Sequence, residues 1–274
     1  MKYSIAIIGI GRQGKNLLRE FKTVAHVAYA FGKKDLKLSR ALKDHYVEAV
    51  VVATPIKTHF SIARRALLAG KHVFLEKPMT DNVSQARALV KLAQKQKRSL
   101  FIGHTFLYHP IFEKIKEINK RDPIISTHFE WHKLGSFHED IKWNLLVHDV
   151  ALLLTLWSKP IHLKLLYKKT VIGSGDILSA EFFFSKNRKA TVNINRASSI
   201  KRKAMTFITK KQNIYLWEND ILLKLDKKNN LFKEIFESKN AALGIECGAF
   251  LRTIKEKSDG SFGARVIEVW SKLK

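Results

Sequence analysis

Cysteine is almost missing from this chain. Cys247 is the only one in 274 residues, which excludes an internal disulfide and a cysteine-built metal cluster. A reducing cytoplasm is the expected location. No apolar run approaches the length of a membrane span. The first residues lack a signal-peptide pattern, since the apolar stretch 5–8 is short and runs straight into glycine. Neither an internal repeat nor a low-complexity linker is visible. Acid is scarce: 24 Asp and Glu face 50 Lys and Arg, a net charge of +26. The excess is spread along the chain, +15 over residues 1–120 and +11 over 121–274, and 37 of the 50 cations are lysine. A nucleic-acid reader clusters its charge and uses arginine forks. Diffuse lysine instead gives a summed field that welcomes anionic substrates, so nucleic acid is not the expected partner. His128, His132 and His138 show no ligand spacing of note, and no metal site is expected.

What is present is an alternation of strand and helix through the first half. Strands are predicted at 5–8, 26–31, 49–53, 72–75 and 100–102. Helices are predicted at 14–22, 38–44, 61–69 and 83–96, the last with aliphatics at Ala86, Leu89, Val90 and Ala93 and a cap at Thr80 or Asp81. Such units imply a doubly wound parallel sheet, an α/β Rossmann domain over residues 1–121. From 122 to 274 the texture changes. Strands are predicted at 124–132, 163–168, 177–184, 190–195, 204–208, 213–217 and 221–225, with Val192 and Ile194 alternating against polar neighbours. One helix interrupts at 145–157 and two close the chain at 241–256 and 264–273. This is an α+β domain on a large, mostly antiparallel open sheet.

The glycines follow the first strand. Gly9-Ile10-Gly11-Arg12-Gln13-Gly14 has GxGxxG spacing between a strand and a helix, the context in which backbone N–H groups meet a pyrophosphate. These six residues are the candidate cofactor cradle. About 20 residues on, where an acid would hold a ribose hydroxyl, stand Phe31-Gly32-Lys33-Lys34, with no acid until Asp35. Lys33 suits a 2′-phosphate, which favours NADP over NAD. Strand three ends in Ala53-Thr54-Pro55, with His59 beyond, and strand four in Glu76-Lys77-Pro78. Ligands of open α/β sheets lie outside the carboxyl ends of the strands. Thr54, Pro55, His59, Glu76 and Lys77 are therefore cofactor candidates. Arg196, Lys201, Arg202 and Lys203 follow the 190–195 strand; such cations can meet a diphosphate, but the expected reading is a solvated basic turn. Trp131 and Trp143 have rings suited to a base or sugar, though such aromatics more often fill a core.

The glycine turn, Ala53-Thr54-Pro55 with His59, Glu76-Lys77-Pro78, and the run from Gly103 through His104 and Tyr108 to Pro110 occur in order. Together they resemble the Gfo/Idh/MocA oxidoreductases, over nearly the whole chain. The runs 11–17 and 103–110 resemble members acting on nucleotide-linked sugars. The resemblance implies a Rossmann domain followed by an open-sheet domain, and pairing through that sheet into a dimer or tetramer. It also implies hydride transfer between NAD or NADP and a hydroxyl or keto carbon of a sugar or cyclitol. His148 matches the family's catalytic histidine and would act as base, and Lys77 would steady the developing alkoxide. The family's aspartate and glycine ahead of that histidine are replaced by Asn144 and Leu146, and its later aspartate by Ala151. On a helix Asn144 and His148 share a face; Asp149 lies about 100° further round. Substrate contacts are then expected from Lys77, His104, Tyr108, Trp143, Asn144 and His148. Because Asn144 cannot stabilise an imidazolium by charge, the alternative is a non-catalytic NAD(P)-binding sensor or regulator on the same fold.

Overall fold

The computed structural model describes residues 2–32, 38–135, 139–173, 175–239 and 241–273. The chain forms two compact units, Met1–Thr105 with Ala242–Glu268, and Phe106–Ala241 with Val269–Lys274.

The first unit opens with a five-stranded sheet of β1 (Ser4–Ile8), β2 (His26–Phe31), β3 (Ala49–Val52), β4 (His72–Glu76) and β5 (Leu100–Gly103). All its pairings are parallel and the order is β2-β1-β3-β4-β5. The sequence runs on to β2 on one side of β1 and to β3 on the other, so the switch point of a doubly wound sheet lies at the end of β1. Between the strands run α1 (Arg12–Val24), α2 (Leu38–Lys43), α3 (Ile56–Leu68) and α4 (Val83–Gln96). Strands β1, β3, β4 and β5 are buried almost throughout, as a sheet covered on both faces requires. Asn82, rather than Thr80 or Asp81, caps α4: its side chain accepts from the Gln85 N–H at 3.1 Å. The Thr80 hydroxyl is engaged instead with the Asn82 carbonyl, which it meets at 2.7 Å.

In the second unit α5 (Pro110–Arg121) leads into β6 (Ile124–His132), a five-residue π turn (Lys142–Leu146) and α6 (Val147–Trp157). Then come β7 (His162–Lys169), β8 (Ile177–Phe184), β9 (Arg188–Asn195), β10 (Arg202–Thr209), β11 (Ile214–Glu218), β12 (Ile221–Asp226) and β13 (Leu231–Glu237). The eight strands are ordered β13-β12-β11-β10-β6-β9-β8-β7, antiparallel except for β6 beside β9. Alternation of burial along β8, and along β9 from Lys189 onward, leaves one face in the core. Helix α6 is apolar nearly all round and is buried to match.

Two helices close the chain, α7 (Ala242–Glu256) and α8 (Ser261–Ser271). The return of α7 to the first unit is driven by packing. Phe250 lies 5.6 Å from Phe74, 5.7 Å from Phe101 and 6.1 Å from Phe21, ring centre to ring centre. The units thus interleave in sequence, whereas the sequence pattern suggests one break at 121/122. Residues 106–121 fall in the second unit, where Phe112 stacks near Trp217 at 6.5 Å. Among the described residues no helix is long and apolar enough to cross a membrane.

Candidate active site

In the first unit the chain leaves β1 at Gly9 with φ +99°, a conformation that strains other residues. Its N–H donates to the Phe31 carbonyl at 2.8 Å. A Cβ at Gly9 would stand 2.5 Å from the Ala53 carbonyl oxygen, so β3 fits only against glycine. Gly11 then caps α1 without a side-chain acceptor, and no acid stands in the first turn. A Cβ on Gly11 would meet nothing within 4 Å. The leading N–H groups of α1, among them those of Gln13 and Gly14, thus face an open position where a diphosphate is favoured by both hydrogen bonding and dipole. Ile10 and Arg12 lie on this turn. The residues present fit a dinucleotide phosphate.

Gln13 ties the turn to β4. Its amide donates to Glu76 Oε1 at 2.8 Å, and Glu76 Oε2 accepts from the Lys77 N–H at 3.2 Å. Burial pushes the Glu76 carboxyl up, opposed by the Gln13 hydrogen bond and the Lys77 charge. Glu246 on α7, a residue the sequence reading passed over, has no exposed surface. It accepts from the Thr105 hydroxyl at 2.7 Å, and burial together with the Glu76 charge holds it well above the ordinary carboxylate range. His104 ends β5 at 3% exposure, and among the described residues neither ring nitrogen has a hydrogen-bond partner. Burial and the Lys77 charge lower it to about 3, so the ring is neutral at working pH.

His59 has a different surrounding from a cofactor contact. Nδ1 meets the Pro78 carbonyl and Nε2 the Thr54 carbonyl, each at 2.8 Å, joining the turns after β3 and β4. The Thr58 hydroxyl donates to the Pro55 carbonyl at 2.7 Å and stands in hydrogen-bond contact with Thr54 Oγ1 at 2.8 Å. Thr54 and Pro55 are thereby fixed at the carboxyl edge of the sheet. Lys33 lies outside the described residues.

The second unit holds His148 on the first turn of α6. Its ring stands edge-on to Phe106 at 4.8 Å and lies near-parallel to Trp131 at 6.0 Å. Next to it Asp149 is wholly buried, accepting from Trp131 Nε1 at 2.8 Å through Oδ1, while among the described residues Oδ2 has no hydrogen-bond partner. Burial raises this carboxyl to about 7. Trp143 and Asn144 sit on the π turn, where both N–H groups reach the Asp140 carbonyl. The α-helical phase starts only at Val147, so Asn144 stands on the π turn and His148 on α6. Trp143 packs edge-on to Trp270 at 3.8 Å. Tyr108 is half-buried at the end of a 3₁₀ turn (Thr105–Tyr108).

Two cations depart from the solvated turn expected for them. Arg196 is 1% exposed and pairs with buried Asp176 at 2.9 Å. Lys203 lies on β10, its Nζ 3.3 Å from the centre of the Phe106 ring, 4.8 Å from Trp217 and 5.0 Å from Trp131. In a single sequence neither differs from any other basic residue. Their partners come from segments 20 or more residues away, or across a strand pairing.

Residues 19–104 match the model of an oxidoreductase family with an NAD-binding Rossmann fold, Gfo/Idh/MocA. A UDP-N-acetylglucosamine 3-dehydrogenase of Acidithiobacillus ferrooxidans is 25% identical over 193 residues, covering 64% of this chain and 61% of that relative's own length, less than two thirds of it. Its solved structure superposes with a TM-score of 0.89 at 21% identity, over 100% of this chain and 98% of the other. A biliverdin reductase from Synechocystis, in complex with biliverdin and NADP+, gives 0.79 at 15% identity over 97% and 96%. An oxidoreductase from Agrobacterium radiobacter, in complex with NAD+, tartaric acid and magnesium, gives 0.84 at 13% over 100% and 95%. The glycine turn after β1 and Glu76-Lys77-Pro78 at the end of β4 thus stand in a chain whose residues 19–104 match the Gfo/Idh/MocA model and whose fold is that of these solved oxidoreductases.

Proposed function

We propose that this protein is an NAD(P)-dependent dehydrogenase or reductase acting on a CH–OH or keto carbon of a sugar or cyclitol. A nucleotide-linked sugar is the substrate class we favour. The observation that carries the reading is the glycine turn, where the uncapped start of α1 leaves N–H groups open beside Gly11. Such a cradle suits the diphosphate of NADP or NAD; Lys33 favours NADP.

A bound nicotinamide supplies the acceptor for hydride. The chain's own residues do the rest. His148, a half-buried imidazole, takes the proton of the sugar hydroxyl as general base. The carbon-bound hydrogen leaves with its electron pair and a carbonyl forms. The Lys77 ammonium donates to the same oxygen and stabilises the charge that develops there. His104, neutral and with its ring nitrogens unpartnered, has a donor and an acceptor to offer a ligand. Trp143, Asn144 and Tyr108 complete the substrate contacts. We also place the protein in the cytoplasm and assign it a homodimer or homotetramer through the second sheet, a reading that the solvent-open Leu231, Phe232 and Ile235 of outer strand β13 support. Nothing in the named relatives favours the sensor reading.

The test is turnover. UDP-N-acetylglucosamine, the substrate in the relative's name, is supplied first, then other nucleotide sugars and free cyclitols, each with NADP or NAD. Absorbance of the reduced nicotinamide reports the rate. Lys77→Ala and His148→Ala are expected to lower kcat by about a hundredfold or more while cofactor binding persists. Full activity in both variants would remove the assigned roles.

A further inference from the structure

Lys203 is held by a built arrangement in the second unit. The β6–β10 register sets it opposite Trp131. Three rings then surround its Nζ: Phe106 at 3.3 Å, Trp217 at 4.8 Å and Trp131 at 5.0 Å from the ring centres. Two of the rings are pinned by hydrogen bonds of their own. Trp131 Nε1 donates to Asp149 and Trp217 Nε1 to the Asn219 carbonyl, each at 2.8 Å. His109 also braces Trp217 at 4.8 Å, and its Nε2 meets Asp220 at 3.2 Å. Aromatic faces attract an ammonium electrostatically but accept no strong hydrogen bond. Among the described residues Nζ has no hydrogen-bond or ion-pair partner, although the side chain is only half-buried. Three N–H donors are thus presented and left to something other than this chain.

The same rings frame His148. Phe106 lies 3.3 Å from Nζ and 4.8 Å from the imidazole centre, so one sugar-sized ligand with its substituent reaches both groups. We propose that Lys203 is a substrate-binding residue that takes an oxyanion carried by the ligand whose hydroxyl His148 deprotonates. The oxyanion is a phosphoryl oxygen of a nucleotide diphosphate or a carboxylate on the sugar ring. The proposal rests on the reading of His148 as the base. The charges around Nζ agree with it. Asp149 and Asp220 raise the affinity of Lys203 for its proton, yet burial outweighs them and brings it to about 7, and an arriving anion restores the cation.

Uridine diphosphate and glucuronate serve as probes of the two sources. Their binding to the full chain, with NADP present, is measured by calorimetry for wild type, Lys203→Met and Lys203→Arg. Methionine keeps an unbranched side chain among the rings, and unfolding midpoints verify the fold; Lys203→Gln takes its place if Lys203→Met does not fold. Loss of about ten- to a hundredfold in affinity for one probe, with Lys203→Arg near wild type and NADP affinity unchanged, supports the proposal. The probe affected tells diphosphate from carboxylate. Ligand-induced quenching of Trp131 and Trp217 fluorescence is expected to vanish in Lys203→Met as well. Equal affinity in Lys203→Met and wild type, or no binding of either probe to wild type, overturns it. Lys203-dependent binding without turnover of any sugar would instead reject the proposed reaction and leave Lys203 as an anion site. Turnover that Lys203→Met leaves untouched would do the reverse.

Discussion

A methyl group on Gly14 would overlap the carbonyl of Gly9, with the Gly9 carbonyl carbon only 2.8 Å away. The first turn of α1 is thus pressed onto the exit from β1, and a side chain at Gly14 would meet backbone rather than a flexible side chain. Gly11, in the same turn, has open space beside it. The two glycines therefore separate a packing role from a binding role. Gly14→Ala is expected to destabilise the protein by about 3 kcal/mol or more, since backbone has to shift. Gly11→Ala is expected to cost under about 1 kcal/mol but to weaken cofactor binding at least about tenfold, because the methyl occupies the space a pyrophosphate would use. Urea unfolding and cofactor titration of both variants check this. Equal stability for the two would contradict it.

This turn was legible from the sequence because strand, spacing and helix all lie within 21 consecutive residues. So was the alternation that yields β1 to β5, whose buried strands are short apolar runs. The second unit was legible as strands but not as a site. Lys203 sits among rings supplied by positions 106, 131 and 217, and only the register of β6, β10 and β11 brings them near. Arg196 read as surface because nothing local reveals that Asp176, 20 residues earlier, is buried with it. The π turn at Lys142–Leu146 has no composition that distinguishes it from α-helix, so the sequence pattern suggests one continuous helix there. Strand β13 was missed because its burial pattern is exposed almost throughout, which leaves no alternation to detect.

Asp176 gives a prediction about acid stability. Its carboxylate accepts from the N–H groups of Val171, Ile172 and Gly173 at 2.6–2.9 Å and from Arg196 Nε. Those hydrogen bonds hold it well below the ordinary carboxylate range despite its burial. A depressed carboxylate contributes stability above its unfolded pKa, and the contribution is lost as pH falls towards its folded value. Asp176→Ala leaves Arg196 buried without its counter-charge and is expected to cost about 3–5 kcal/mol at pH 7. Thermal melts should show the gap to wild type narrowing below about pH 4. A gap independent of pH would mean that lost packing, not charge, causes the effect.

Asp149 predicts the opposite sign. Its folded value of about 7 lies above the ordinary 3.8, so ionisation opposes folding. The penalty starts above about pH 4 and is fully present beyond about pH 7. Asn at this position keeps an oxygen for Trp131 Nε1 and carries no charge. Asp149→Asn is therefore expected to be more stable than wild type at pH 8, on the order of 2 kcal/mol after allowing for the lost attraction to Lys203. The advantage should vanish near pH 4. Stability curves of the two proteins across that range decide the matter, and a variant less stable at every pH would show that the carboxylate is stabilised by its surroundings.

Asn144 bears on catalysis. It stands four residues before His148 on the π turn, where the family pattern has aspartate. A carboxylate there adds negative charge near the imidazole, and an anion favours the imidazolium form. If His148 is the base, Asn144→Asp strengthens it. The expected outcome is a rise of about tenfold in kcat with the nucleotide sugar that wild type oxidises, together with movement of the acid limb of kcat/KM to higher pH. Both follow from one titration, so they must appear together. Loss of activity with an unmoved pH profile would show instead that the carboxamide of Asn144 makes a substrate contact that aspartate cannot replace. A higher rate with an unmoved profile would place the gain in substrate positioning rather than in the base.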